Sequence, residues 1–468
     1  MTGELPPGWS RTSLARLGVW GSGGTPSRQD PEAFGEGIPW LKIGDLSDGP
    51  VRAFEESITA KGLANSSAKL LEPGTLLVAM YGSIGKLGVT TFECATNQAI
   101  AFCKLHGGID LRYVFYALLN ERQRLLDLGQ GGTQLNISQT LLRAHEVNLA
   151  PAREQQRIVS RIEELFSEIE EGERALERVG RLVERYRQSV LKAAVTGELT
   201  REWRQAHRHG GSAAGDGLPP TWTFATLGSL STKVTSGSRD WKSFYGRGDS
   251  VFIMAQNVRP GRLDFTEVQV IDPPLGSKDA ERSQVAEGDV LITIVGANTG
   301  DVCRVDRTLP KHYVCQSVAL IRLADPRIAP FVELFLMADE GGQAQFAETI
   351  YGAGRPHLSF DQLKAVAVPL PPPEEQAAIL DAVRRAESEL KAARDAVAAS
   401  RVQATALRQS ILKAAFSGQL VPQDPRDEPA SALLARLAAQ PADAPATLRR
   451  RGRPAGRRSS LPNPSVAT

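Results

Sequence analysis

Two stretches of the chain carry the clearest alternation of apolar and polar positions. In the first, seam positions step by four and three through Ile158, Ile162, Leu165, Ile169, Gly172, Leu176, Val179, Val183, Tyr186 and Val190. In the second, the same register runs through Ile379, Val383, Ala386, Leu390, Ala393, Val397, Ser400, Ala404, Leu407 and Ile411. Sustained 4/3 spacing predicts two long helices, each with a coiled-coil seam. Both open on proline and acidic residues (Pro151 to Glu154, Pro373 to Glu375), which suit a first helical turn. Both close at Thr196-Gly197 or Ser417-Gly418, where glycine is free to form a left-handed cap. About 43 residues make a rod of roughly 65 Å. Antiparallel pairing lets the second helix come straight back, with one globular domain at each end and a pseudo-two-fold axis between them. Packing of each rod on its own domain, or seams that join two copies of the chain, remain as alternatives.

The stretches before each rod read differently. Runs such as Thr75–Tyr81 and Val290–Val295 are apolar or β-branched and bounded by glycine, which predicts buried strands. Residues 111–128 and, more weakly, 329–346 have helical spacing. These domains are also copies of each other. "LPPGW" at 5–9 returns as "LPPTW" at 218–222, and "EPGTLLVAMYGSIG" (72–85) matches "AEGDVLITIVGANTG" (286–300). "QAIAFCKL" (98–105) meets "QSVALIRL" (316–323), and "RQSVLKAAVTGEL" (187–199) meets "RQSILKAAFSGQL" (408–420). A tandem repeat of two mixed α/β domains with long helices follows. The expected boundaries are a first domain at 1–150, a first helix at 151–200 and a linker at 201–217. A second domain at 218–372, a second helix at 373–417 and a basic, disordered tail at 418–468 complete the chain.

Composition narrows the function classes. The chain has 468 residues, with 55 Lys+Arg against 53 Asp+Glu, so partners must be read from where charges sit. The four cysteines (Cys94, Cys103, Cys303, Cys315) form no CxxC pair and the six histidines no ligand-spaced cluster, which argues against a structural zinc site and for a reducing compartment. The amino terminus lacks a signal-peptide pattern and no apolar run is long enough to span a bilayer, so a cytoplasmic protein is expected. "DPPL" (272–275) and "GSIGK" (82–86) lack the companions of a methyltransferase or phosphate-binding motif and read as turns. No catalytic residues are predicted.

The loops carry the candidate chemistry. Glycine-rich segments bear Arg, Lys, Asn, Gln and aromatic residues at 21–28, 81–86 and 131–138, and again at 236–248, 296–300 and 352–359. Glycine allows close backbone approach, and Arg, Lys, Asn and Gln match base edges. The candidate DNA contacts are Arg28, Lys42, Tyr81, Lys86, Gln134 and Asn136 in the first copy. In the second they are Arg239, Lys242, Tyr245, Asn257, Asn298, Arg355 and His357. Asn136 and His357 fall at equivalent places with different chemistry, as two readers of different sequences would show. In the tail, "RRRGRPAGRR" (449–458) resembles the core of a minor-groove AT-hook, making Arg451 and Arg453 candidate DNA contacts.

Taken in order, "LPPGW…TSLARLG", "GTPS", "PWLKIGDL", "GSIGK", "TNQAIA", "LAPAREQQRIV" and "RQSVLKAAVTGEL" resemble the specificity (S) subunit of type I restriction–modification systems. The likeness spans about residues 5–420. It implies two target-recognition domains separated by two long antiparallel helices, without catalytic activity. Each domain would read one half of a gapped, asymmetric site in double-stranded DNA. Partner subunits would then methylate adenine or cleave the DNA. The implied partners are two modification (methyltransferase) subunits and restriction (translocase–nuclease) subunits. No cofactor of its own is implied, since S-adenosylmethionine, ATP and Mg belong to the partners. The competing expectation is a coiled-coil scaffold without DNA specificity.

Overall fold

The computed structural model describes residues 4–130, 135–207, 217–238, 240–352, 354 and 356–439. The chain divides into two compact units, cut at Gly172/Glu173 and again at Arg401/Val402. Each unit holds one globular domain, part of one long helix from its beginning and part of the other from its end. The helices run Ala152–Val195 and Pro373–Phe416, 44 residues each. Both stop at a left-handed glycine, Gly197 at φ 78° and Gly418 at φ 74°. A Cβ at Gly197 would lie 2.4 Å from Pro219 Cγ, and one at Gly418 2.2 Å from Pro6 Cγ. The "LPP" that opens each repeat therefore packs on a helix end that only glycine can form.

Pairing of the helices is antiparallel inside both units. In the first, Ile158 and Ile162 near the start of one helix share a core with Ile411, Leu412 and Ala415 near the end of the other. In the second, Val190, Leu191 and Ala194 pack with Ile379, Val383 and Ala386. The ion pairs Arg187–Glu387 (2.8 Å) and Arg394–Glu184 (3.1 Å) cross the same seam. The seam is not buried along its whole length as the spacing predicts, for Tyr186 is 54% and Leu407 51% exposed. Two helices alone cover a narrow stripe, and deep burial is reached where a domain closes a further side.

The acidic residues stand in the first helical turns as expected, and Glu154 and Glu375 are in addition buried, at 1% and 0% exposed. Glu375 Oε1 accepts hydrogen bonds from Arg204 (2.6 Å) and Thr200 (2.7 Å), and Glu154 accepts one from Gln423 (3.3 Å). The residue after each makes a matching tie: Gln155 Nε2 donates to Ala150 O and Gln376 Nε2 to Pro371 O, both at 2.8 Å. The two glutamates clamp each helix start to the segment that follows the other helix, and the two glutamines tie it to the residues just before it. Arg204 lies on a short helix, Arg201–Ala206, within what reads as a linker.

The two domains have corresponding sheets. In the first, strands Gly18–Ser22, Ile100–Leu105, Leu76–Ala79, Leu87–Thr90 and Gly49–Val51 lie in that order. In the second, the order is Ser231–Ser236, Val318–Leu323, Val290–Thr293 and Val302–Arg304. A smaller sheet accompanies each, centred on Phe34–Leu41 or Tyr245–Ile253. The edge strand Gly49–Val51 has no counterpart in the second sheet; that domain carries a small hairpin, Val258–Arg259 with Arg262–Leu263. The helix Leu111–Asp127 starts at Asp110, whose carboxylate accepts from Tyr113 N–H at 3.0 Å. Its counterpart stops early, at Ala329–Met337, and the chain breaks at Gly341 before resuming as Ala344–Thr349. A Cβ at Gly341 would lie 2.3 Å from Phe335 O, so the tight turn requires glycine.

Glu333 on that shorter helix is packed under Arg304, yet burial pushes its carboxyl above the ordinary range. A raised folded-state pKa means the folded chain holds the proton more tightly than the unfolded one. The resulting stability is present at or below pH 4.5 and is lost as pH rises through the folded value. Relative to Glu333→Gln, which has no such proton, the wild-type chain should lose stability between that pH and neutrality. Urea midpoints of both proteins across that window measure it, and parallel curves would contradict it.

Residues from 418 onward do not all form a disordered tail. Helix Ala430–Ala439 packs Ala430, Leu433 and Leu434 into the first unit's core. Ala430 N–H donates to Gly8 O (2.8 Å) and Arg157 pairs with the buried Asp427 (2.6 Å). The helix falls on "EPASALLARLAAQ" (428–440), whose spacing reads as a short amphipathic helix inside the otherwise basic tail. Among the described residues, no helix is long and apolar enough to cross a membrane.

Candidate nucleic-acid interface

In the second unit, the glycine-rich loops converge. Ser236, Gly237 and Ser238 at the end of one strand meet Val295, Gln316 and residues 357–361 around a cleft of about 980 Å³. Its frame is backbone. His357 N–H donates to Tyr351 O (2.9 Å), Gly296 N–H to Pro356 O (3.1 Å) and Leu358 N–H to Ile294 O (3.0 Å). A Cβ at Gly237 would fall 1.7 Å from Val314 O, so this loop lies flat against the neighbouring strand only as glycine. Asp279 and Arg282, joined at 2.9 Å, and Lys364 supply charge at the rim. Two polar atoms lining the cleft, Gln316 Oε1 and His357 Nδ1, are buried without a hydrogen-bond partner. Buried polar atoms are rarely left so.

The first unit repeats the frame with other side chains. Asn136 N–H donates to Gln130 O (2.9 Å), Gly82 N–H to Leu135 O (3.1 Å) and Ile137 N–H to Met80 O (2.9 Å). Tyr81 bridges Asn136 as Val295 bridges His357. A Cβ at Gly23 would meet Thr96 O at 2.1 Å, as at Gly237. Here Gln98, the counterpart of Gln316, accepts a hydrogen bond from Thr25. One scaffold thus presents two different polar sets.

The predicted contacts are distributed unevenly over this surface. Tyr81 and Asn136 in one unit and His357 in the other stand at the frame itself. Asn298 lies in the turn beside it, its carbonyl accepting from Asp301 N–H (3.0 Å). Lys86 is half-buried and donates to Ile43 O (3.3 Å). Lys42 is held between Glu55 (2.8 Å) and Glu56 (3.2 Å), bonds that raise its pKa, while Arg28 takes Glu56 at 2.7 Å and lies 4.2 Å over the Phe34 ring. Both cations are therefore engaged within the domain. Lys242 is exposed; Tyr245 is half-buried against Phe252, and burial raises its pKa.

Asn257 requires correction. It is 1% exposed, donates to Asp264 O (2.8 Å) and Glu267 O (2.7 Å), and accepts from Met254 N–H (2.9 Å). Its amide is consumed in stapling a loop and has no edge left for a base. Gln134, Arg239, Arg355, Arg451 and Arg453 lie outside the described residues. Gln316, Arg282 and Lys364 were not among the sequence candidates. The available signal was that one glutamine heads a buried strand in both repeats, at Gln98 and Gln316.

The family model for the type I restriction modification DNA specificity domain matches residues 6–178 and again 219–397. The specificity subunit of the type I restriction enzyme EcoKI from Escherichia coli (strain K12) is 24% identical over 471 residues, covering 94% of this chain and 96% of that one. The EcoBI specificity subunit, also from Escherichia coli, is 25% identical, with 86% of each chain covered. A structure solved in work on complex assembly and conformational transition of the type I R-M system shares the fold. Its TM-score is 0.65 at 18% identity, over 89% of this chain and all (100%) of that one. With both repeats matched over most of their length, the chain belongs to the type I restriction modification DNA specificity domain family.

Proposed function

We propose that the chain is the non-catalytic reader of a type I restriction–modification complex, each unit recognising one half of a gapped, asymmetric site in double-stranded DNA. Its partners are two modification subunits and the restriction subunits, which hold S-adenosylmethionine, ATP and Mg and carry out adenine methylation and cleavage. On this reading it works in the cytoplasm. The observation that carries the proposal is the duplicated loop frame with different side chains at one position, Asn136 in one copy and His357 in the other. A single chemistry would have no use for two scaffolds that differ where they face a ligand.

Asn136→Ala and His357→Ala, each in the assembled complex with modification subunits, test this. Each should weaken binding by about 1–3 kcal/mol, the worth of one base contact, and should relax sequence preference in a different half of the site. Binding to randomised half-sites reads both effects. Relaxation of the same half by both variants, or of neither, would count against one reader per unit.

A further inference from the structure

The two repeats differ in charge beside the long helices. In the second unit, a cleft of about 830 Å³ opens between the Val258–Leu263 hairpin, helix Ala329–Met337 and the flanking turns of both long helices. Arg187, Arg259, Arg262, Arg304, Arg384 and Arg394 line it, against Glu184, Glu333 and Glu387. Three arginines are matched to those glutamates, Arg187 to Glu387 (2.8 Å), Arg394 to Glu184 (3.1 Å) and Arg304 to Glu333 (3.3 Å). Arg384 turns back to Asp381 on its own helix. The hairpin pair is held more loosely. Arg259 comes no nearer than 3.8 Å to Asp301, the exposed Arg262 side chain makes no hydrogen bond or ion pair to a described residue, and Asp264 is the nearby carboxylate that feels both charges. Between the charges the walls are apolar, from Leu191, Leu334, Met337, Leu380 and Val383.

The first unit does not reproduce this set. The repeat-equivalent positions of Arg304 and Arg384 are Val89 and Glu163 and that of Glu333 is Phe115, all in the first unit, while the equivalent of Arg394 is Glu173, just past its boundary. The stretch corresponding to the hairpin, residues 46–50, has no arginine. Arg187 alone is kept, as Arg408, which lies 5.8 Å over the Phe166 ring.

We propose that this cleft docks one segment of a partner subunit, a peptide that presents carboxylates on either side of an apolar side chain, and does so on the second unit only. The inference rests on the reading of the chain as one subunit of a larger assembly. Arg259 and Arg262 offer planar forks suited to carboxylates. The apolar walls, with the adaptable thioether of Met337, suit the side chain between them. DNA phosphates fit less well, since they would leave the apolar walls unused. A subunit that gripped both repeats alike would need the same side chains twice. The cleft therefore serves a component bound once, or distinguishes two copies of one component.

The test uses the full complex on DNA, with the photo-crosslinker p-benzoylphenylalanine placed at Arg262 and, separately, at Pro50 in the first unit. The expected result is a crosslink from position 262 to a partner peptide rich in Asp and Glu, and none from position 50. In a titration of that partner, Arg259→Glu with Arg262→Glu should weaken binding about tenfold or more. The double variant Arg259→Lys with Arg262→Lys, which keeps the charge but loses the planar forks, should weaken binding by less than the charge reversal does. A crosslink to DNA, equal crosslinks at both positions, or unchanged affinity on charge reversal would overturn the proposal. Its failure is separable from failure of the DNA-reading role, because a methylation map reports the target site of the wild-type chain whichever way the cleft behaves.

Discussion

Arg204→Met should destabilise the second unit by about 3–5 kcal/mol, the usual cost of leaving one partner of a buried ion pair alone. Glu375 is fully buried, and Arg204 is itself 90% shielded, with 10% of its side chain exposed. After the substitution only Thr200 would remain to satisfy Glu375 Oε1, and Glu375 Oε2 has no partner even in the wild type. The carboxylate would then be desolvated without a counter-charge. Adding Glu375→Gln to the same chain removes the stranded charge and should recover much of the loss, which a double-mutant cycle measures directly. The readout must be local, because a chain of two units need not unfold in one step. Hydrogen exchange of the strand Thr223–Thr226 and its partner Ala367–Leu370 reports the second unit. A loss below about 1 kcal/mol would place this pair among weak surface ion pairs and contradict the clamp.

Leu433→Ala with Leu434→Ala should cost the first unit about 2–5 kcal/mol for each side chain removed. Both leucines are 5% exposed and share a core with Trp9, Tyr113 and Phe416. Leu433 also sits over Gly108, where a Cβ would lie 3.0 Å from its Cδ1. The loss should be confined to the first unit, seen as faster exchange in the strand pair Ser10–Ser13 with Glu146–Leu149. Equal loosening of the second unit, or none anywhere, would mean that the C-terminal helix is an ornament rather than part of the core.

Both long helices, their glycine ends and the repeat were legible because each is written in local pattern. A 4/3 seam, a Thr-Gly or Ser-Gly stop and a twice-used "LPP" need no knowledge of what lies across the fold. What was not legible depends on partners far away in the chain. Glu375 looks like an ordinary first-turn acid until Arg204 is found beside it, 171 positions earlier. Tyr186 and Leu407 hold seam positions, yet burial there needs a third surface that the helices do not supply. Asn257 sits in a loop of the right composition, but its amide is spent on three backbone groups. The converse holds for Gln316, which reads as a strand-flanking residue and whose unpartnered oxygen is visible only once the cleft has formed around it. The bases read by either unit are not written in any of these patterns.

The central claim, that this chain selects the DNA site, is tested most directly by a modified-base map of the host genome, taken with the gene intact and with it deleted. The account predicts that one gapped, two-part motif is methylated in the first map and unmethylated in the second. A methylated motif that persists after deletion, or a map without any such motif while the modification subunit is expressed and bound to this chain, would contradict it.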